Sequence, residues 1–438
     1  MKILWITNTI FPEACKRLGL PVAETGGWMY GLAKLMLSIP GIELAVATAY
    51  HGKHLMKFEI KGIHYYLIPS ESTYSYQKDK EDLWKEVCDE FIPHIVHIHG
   101  TEWPHGLTCM QACPELNYVV SIQGLIGICN RYYFAGINKW EIFKSITFRD
   151  IVKLDTLFQG QRKFEMRGLL EYRILQKSHH IIGRTSWDYT HSKTINPTIN
   201  YHFCNEVLRR GFYSASKWEL KNISQNTIFM SQASYPIKGL HQVIKAVALL
   251  KKEFPDIKIR VAGQSITDYN SFMEKIKISG YGSYLRSLIK KWDLWGHIQF
   301  TGLLKEEEMI NEYQKAHLFI CPSSIENSSN SVGEAQLIGV PTIASYVGGL
   351  PDMIIHGKSG LLYRFEEVEM LAENIRMIFT NNKLAVQLSL NEIDTAEKRH
   401  NRQINLDQTV RIYNEVLSQR LSINNYNNHI IPEINEQY

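Results

Sequence analysis

Short apolar runs alternate along the chain with stretches in which apolar positions recur every three or four residues. The runs Ile3–Thr7, Glu43–Ala47, Ile95–Ile98 and Tyr118–Ile122 predict buried strands in the first half. Thr227–Met230, Lys258–Ala262, Ile298–Phe300, Leu318–Ile320 and Thr342–Ala344 predict strands in the second. Helical periodicity separates them, as over Gly27–Leu37, Gly239–Lys252, Glu306–Lys315 and Glu367–Phe379. Strand and helix in alternation predict parallel sheets with helices on both faces. The alternation runs twice and lapses over Gly211–Asn226. The expected architecture is α/β, two doubly wound domains facing a cleft. Residues 1–212 form the first, 213–402 the second, a helix over 403–420 packs back on the first, and 421–438 is a polar tail. Such sheets hold ligands beyond the C-terminal ends of their strands, so chemistry is sought there.

One segment departs from the alternation. Lys139–Lys177 is long, amphipathic and basic, with nine Lys or Arg against five Asp or Glu. Trp140, Phe143, Ile146, Phe148, Leu154, Leu157 and Phe158 punctuate it. It reads either as helices packed on the first sheet or as a surface resting on anionic lipid, such as the inner leaflet of a membrane.

Composition narrows the class. The chain has 438 residues, 45% hydrophobic and 21% charged, as a globular protein has. A net charge of +4 is mild and nothing points to nucleic acid. Seven cysteines without a C-x-x-C pair predict reduced thiols rather than a disulfide framework or a zinc site. The opening MKILWITNTIFPEA reads as a buried strand, not a leader, and no window is apolar enough to span a bilayer. The expected location is cytoplasmic.

The chemistry concentrates in CPSSIENSSNSVGEAQLIGVP, residues Cys321 to Pro341. A strand ends there, a small polar loop follows, and a helix is predicted from Val332 to Gly339. Glu326 and Glu334 flank the loop. The plain readings are a solvated carboxylate at Glu326 and, at Glu334, a capping box with Ser331. The functional reading uses the unpaired N–H groups of a helix start as an anion site. Carboxylates on either side accept hydrogen bonds from sugar hydroxyls. A diphosphate with a sugar at each end, a nucleotide sugar, fits that arrangement.

The segment Thr301–Tyr363, with FTGLLKEEEM, LFICPSSIEN, VGEAQLIGVPTIASYVGGLPDMI and HGKSGLLY, resembles the retaining nucleotide-sugar glycosyltransferases of family 4. Weaker likenesses extend it: TGGWMYGLAKLM at Thr25–Met36 and MSQASYPIKGLHQVIKAV at Met230–Val247. The likeness is strongest to bacterial members that build capsular or exopolysaccharide. It implies the GT-B fold, two Rossmann-like domains facing a cleft. It also implies that Glu334 holds the ribose, Glu326 the donor sugar, Lys238 the diphosphate, and the loop amides around Asn330, Ser331 and Val332 the distal phosphate. Gly26 and Gly27 match glycines that let the backbone approach the donor. Read without the resemblance, Lys238 is an exposed lysine and T-G-G-x-x-x-G a strand-to-helix turn. It is not G-x-G-x-x-G, and a nicotinamide cofactor has little support.

Two positions depart from the family pattern. Ala233 stands where an arginine is usual, so half the cationic clamp is missing; Arg184, Arg209 and Arg210 are the candidates to replace it. Gln123, in VVSIQGL, stands where a histidine is usual, and it cannot titrate. His97 and His99 share a strand face by the period of two. No third ligand accompanies them, so no metal is expected, and His99 is the candidate to line the cleft beside Glu102. The resemblance implies transfer of a hexose, with retention, from a nucleotide diphosphate sugar to a saccharide or lipid-linked acceptor in surface polysaccharide synthesis, with no cofactor beyond that co-substrate. Two alternatives stay open: a non-catalytic nucleotide-sugar-binding relative or scaffold for a partner transferase, and a sugar-nucleotide epimerase, which would turn over without an acceptor.

Overall fold

The computed structural model describes residues 1–22, 27–70, 75–269 and 271–428, apart from the side chains of 272–273 and 420–428. Gly26 therefore lies outside the described residues, as do 429–438.

Two sheets form, each at the core of a domain. The first has eight strands: β1 (Lys2–Thr7), β2 (Glu43–Tyr50), β3 (Met56–Ile60), β4 (Ile63–Pro69), β5 (Ile95–His99), β6 (Tyr118–Ser121), β7 (His180–Gly183) and β8 (Asn200–Phe203). Their order across the sheet is β3-β4-β2-β1-β5-β6-β7-β8. All pairs are parallel except β3–β4, a hairpin turned by Lys61 and Gly62, both at positive φ. The second sheet has six strands: β9 (Thr227–Met230), β10 (Lys258–Val261), β11 (Ile298–Phe300), β12 (Leu318–Cys321), β13 (Thr342–Ser345) and β14 (Leu361–Tyr363). It is parallel throughout, in the order β11-β10-β9-β12-β13-β14. The order reverses beside β1 in one domain and β9 in the other, which sets a crevice at each switch point.

The central strands are buried on both faces; IFM of β9 and LFI of β12 have almost no exposure. Such runs suit parallel strands because helices cover both sides. The last helix, Arg402–Asn428, returns to the first domain, where Leu406, Ile412, Tyr413 and Val416 join Trp5 and Ile3 in one core. It continues past residue 420, where the composition sets a polar tail.

The basic segment forms three helices: Lys139–Ser145, Phe148–Lys153 and Leu157–Lys177. The third packs on the first sheet through Leu170, Ile174 and Leu175. The first two do not, contrary to the plain reading of the pattern. Ile137 and Ile142 join the core of the second domain. His241 Nε2 meets the Ala135 carbonyl at 2.9 Å, and the Thr147 hydroxyl donates to the Ile278 carbonyl at 2.8 Å. The segment is an arm that leaves the first domain and is fastened to the second. Its outer face is apolar: Trp140, Phe143, Phe148, Ile151, Val152 and Leu154 are each at least 60% exposed. Among the described residues no helix is long and apolar enough to cross a membrane.

Candidate active site

A cavity of about 700 Å³ opens between the domains. Its walls come from loops that follow strands: Asn8 and Thr9 after β1, Gln123 after β6, Ser231 to Ser234 and Lys238 after β9, Gly263 and Gln264 after β10, and Glu326 and Ser328 to Ser331 after β12. Gly27, Arg209 and Glu334 also line it. It thus gathers Gln123, Lys238, Glu326, Asn330, Ser331, Glu334 and Gly27 from the sequence-based set.

Lys238 ends a short turn begun by Pro236, and Gly239 follows at φ +72°. A Cβ on Gly239 would stand 1.8 Å from the Pro322 carbonyl oxygen. Only glycine lets these two loops touch, and their contact brings Lys238 Nζ to 2.8 Å from Glu326 Oε2. The Ser323 hydroxyl donates to the same oxygen at 3.1 Å. Burial favours the neutral amine, but the facing carboxylate outweighs it and holds Lys238 charged.

The helix carrying Glu334 runs Asn330–Ile338, two residues earlier than predicted. No side chain caps it at Ser329, and Glu334 lies in its second turn. The capping-box reading of Glu334 is therefore wrong. Both its oxygens instead receive Arg209: Nε donates at 2.6 Å and Nη2 at 2.7 Å. Burial pushes the Glu334 carboxyl up, and the guanidinium pulls it part of the way back. The uncapped first turn, with Asn330 and Ser331 on the cavity wall, leaves its N–H groups to a ligand or solvent. Asn330 Oδ1 and Gln123 Nε2 are buried without a partner. The Val332 side chain is in the second-domain core, so only its main chain belongs to this turn.

Two candidates fall elsewhere. Arg184 is 2% exposed, with Nη1 at 2.6 Å from Glu206 Oε1 and Nη2 donating to the Ile122 carbonyl. It is spent inside the first domain and does not line the cavity. His99 lies behind Trp28, ring centroids 5.7 Å apart, and against Trp5 at 4.5 Å. Burial lowers its pKa well below the ordinary histidine value. Both its nitrogens lack partners. The period of two did place it with His97, 3.9 Å away, but on a face covered by tryptophans. Among the described residues no three His, Cys, Asp or Glu side chains gather as metal ligands.

Sequence reasoning missed Asn327. It is 3% exposed and bolts the loop between the glutamates to the first domain. The Thr185 hydroxyl donates to its Oδ1 at 2.6 Å, and its Nδ2 donates to Asp188 Oδ2 at 3.0 Å. Nothing in the local spacing reveals a partner more than a hundred residues away.

Residues 215–394 match the family described as Glycosyl transferases group 1. This is nearly the whole second domain, the one that carries Lys238, Glu326 and Glu334. A D-inositol 3-phosphate glycosyltransferase of Corynebacterium urealyticum is 28% identical over 156 residues, 35% of this chain and 34% of that one. A 2-deoxystreptamine N-acetyl-D-glucosaminyltransferase of Niallia circulans is 23% identical over 296 residues, 67% of this chain and 69% of that one. The chain thus spans about a third of the first relative's length and about two thirds of the second's. The solved structure of Anabaena Alr3699/HepE in complex with UDP-glucose matches across 96% of this chain and 100% of that one, with a TM-score of 0.63 at 12% identity. The fold is that of the GT-B glycosyltransferases, and the family match on the second domain supports a glycosyltransferase enzyme.

Proposed function

We propose that the protein is a retaining, metal-independent GT-B glycosyltransferase of family 4 that moves a hexose from a nucleotide diphosphate sugar to a hydroxyl of a saccharide or lipid-linked saccharide. The observation that carries this reading is the interdomain cavity in which an uncapped helix start, Lys238 and two carboxylates converge.

The helix start at Asn330–Val332 and Lys238 face the diphosphate and stabilise the charge that grows on it as the sugar departs. Glu326 accepts hydrogen bonds from donor-sugar hydroxyls and Glu334 from the ribose. No side chain is assigned as a nucleophile. The acceptor hydroxyl attacks the face the diphosphate leaves, and a leaving phosphate oxygen takes its proton. Gln123 can orient that hydroxyl but holds no proton for it. The two domains align the substrates and exclude water. In the solved structure with UDP-glucose, a neighbour of this fold carries such a donor, which supports the donor class.

Surface polysaccharide synthesis on the cytoplasmic face of a membrane is the proposed setting, supported by the apolar and basic arm and by likeness to a capsular polysaccharide glycosyltransferase of Staphylococcus aureus, 24% identical over 182 residues. The test is release of nucleoside diphosphate from a panel of nucleotide sugars with and without saccharide acceptors. Acceptor-dependent release supports transfer. The absence of the usual arginine, at Ala233, and histidine, at Gln123, favours one second reading, a non-catalytic binder; bound donor with no release under any acceptor would establish it.

A further inference from the structure

Among the described residues that line the cavity, the cations are Lys238 and Arg209, and the anions are Glu326 and Glu334. Each cation is already tied to a carboxylate, so the side-chain charges of the cavity cancel and only the helix start is left to attract an anion. A nucleotide sugar brings two negative charges on its diphosphate. The partial charge of one helix start falls short of two full charges unless a cation is released.

Arg209 is placed for that release. It stands on the chain between the domains, after β8 and before β9. Its stem lies against Gly27, where an added Cβ would sit 3.3 Å from its Cγ. Its guanidinium stacks over Phe212 at 4.8 Å and reaches both oxygens of Glu334. The Arg209 side chain is 16% exposed and that of Glu334 7%. Separating such a pair without substitutes leaves two poorly hydrated charges. A nucleotide sugar supplies both substitutes at once, ribose hydroxyls for the carboxylate and diphosphate oxygens for the guanidinium.

We propose that Arg209 is the second diphosphate-binding cation, stored on Glu334 until the ribose of the donor displaces it. The exchange rests on the nucleotide-sugar reading of the cavity. It couples the two halves of the ligand: ribose that engages Glu334 frees the charge that grips the diphosphate. It also explains how a site with Ala233 can be complete, since the missing charge arrives from the interdomain chain rather than from the loop before Lys238.

Isothermal titration with inorganic pyrophosphate and with UDP, GDP and ADP tests it. The E334Q variant removes the charge that holds Arg209 and leaves a single neutral acceptor, so it binds pyrophosphate about tenfold or more tighter than the wild type. The R209M/E334Q double variant, which removes the pair without leaving a bare charge, shows no such gain. Thermal melts of each variant verify folding, and E334A releases the same arginine should E334Q prove unstable. No gain in the folded single variant, or a gain that survives in the double variant, overturns the exchange. If the wild type binds none of the three nucleotides, the donor reading falls; the pyrophosphate comparison still decides whether Glu334 holds Arg209 in store.

Discussion

Lys238 Nζ stands 2.8 Å from Glu326 Oε2, joining the loop after β9 to the loop after β12 across the floor of the cavity. The two side chains are 19% and 20% exposed, dry enough to interact strongly and open enough to meet a ligand. The Lys238→Ala substitution removes the charge proposed to face the diphosphate. Transfer should fall by about 10²- to 10³-fold, the usual effect of losing one preorganised group that stabilises developing charge. The melting temperature should change little, because Glu326 keeps Ser323 and solvent. Nucleoside diphosphate release, read beside a thermal melt, checks both.

Gly239 is the hinge of that contact. With φ at +72° and Pro322 O at 1.8 Å from an added Cβ, Gly239→Ala has to push the two loops apart. Stability should drop by about 2–4 kcal/mol. Donor binding should weaken with it, since the same movement separates Lys238 from Glu326. Denaturant unfolding and nucleotide titration measure the two effects.

The arm predicts a membrane phenotype separable from chemistry. Phe148, Ile151 and Leu154 are exposed beside Lys144 and Lys153. Replacing the three apolar residues by Ser should lower partitioning onto phosphatidylglycerol vesicles at least about tenfold, by loss of buried apolar area. Turnover with water-soluble substrates should be unchanged. Vesicle sedimentation against phosphatidylcholine controls is the measurement, and equal binding of both proteins would remove the arm from this role.

His241 ties the arm to the second domain and is fully buried between Tyr281 and the Ala135 carbonyl. Burial lowers its pKa to about 3, only partly opposed by the carbonyl. A histidine depressed in the folded state contributes its full share above the unfolded value near 6.5 and loses it as pH falls toward 3. Its contribution to unfolding free energy should decline by about 1.4 kcal/mol per pH unit within that window. His241→Gln should flatten the wild-type profile by that slope between pH 6 and pH 4, a range covered by urea titrations at stepped pH (roughly one proton's worth).

Much of the fold was legible because central parallel strands are continuous apolar runs. β9 and β12 announce themselves; β7 and β8, four residues each and interrupted by His180, Asn200 and His202, carry no prediction, and neither do the hairpin β3–β4 and the three-residue β14. Periodicity marked the arm as amphipathic but not which domain it meets, since Ile137 and Ile142 would suit either core. At the site, local spacing pointed to both glutamates because a strand end and a helix start carry short-range signals, whereas Lys238 was marked only by the family resemblance. It did not find the partner of Glu334 or the bolt at Asn327, whose hydrogen bonds span 125 and 142 residues. It misplaced His99 because alternation reveals which side chains share a face, not whether tryptophans cover it.

The most direct test of the account is diffraction from crystals soaked with UDP-glucose, alongside other nucleotide sugars. The account predicts the diphosphate against the main chain of Asn330–Val332 with Lys238 within hydrogen-bond distance, the sugar on Glu326 and the ribose on Glu334. A nucleotide sugar bound away from the interdomain cavity, or seated there with its diphosphate turned from Lys238 and that helix start, would contradict it.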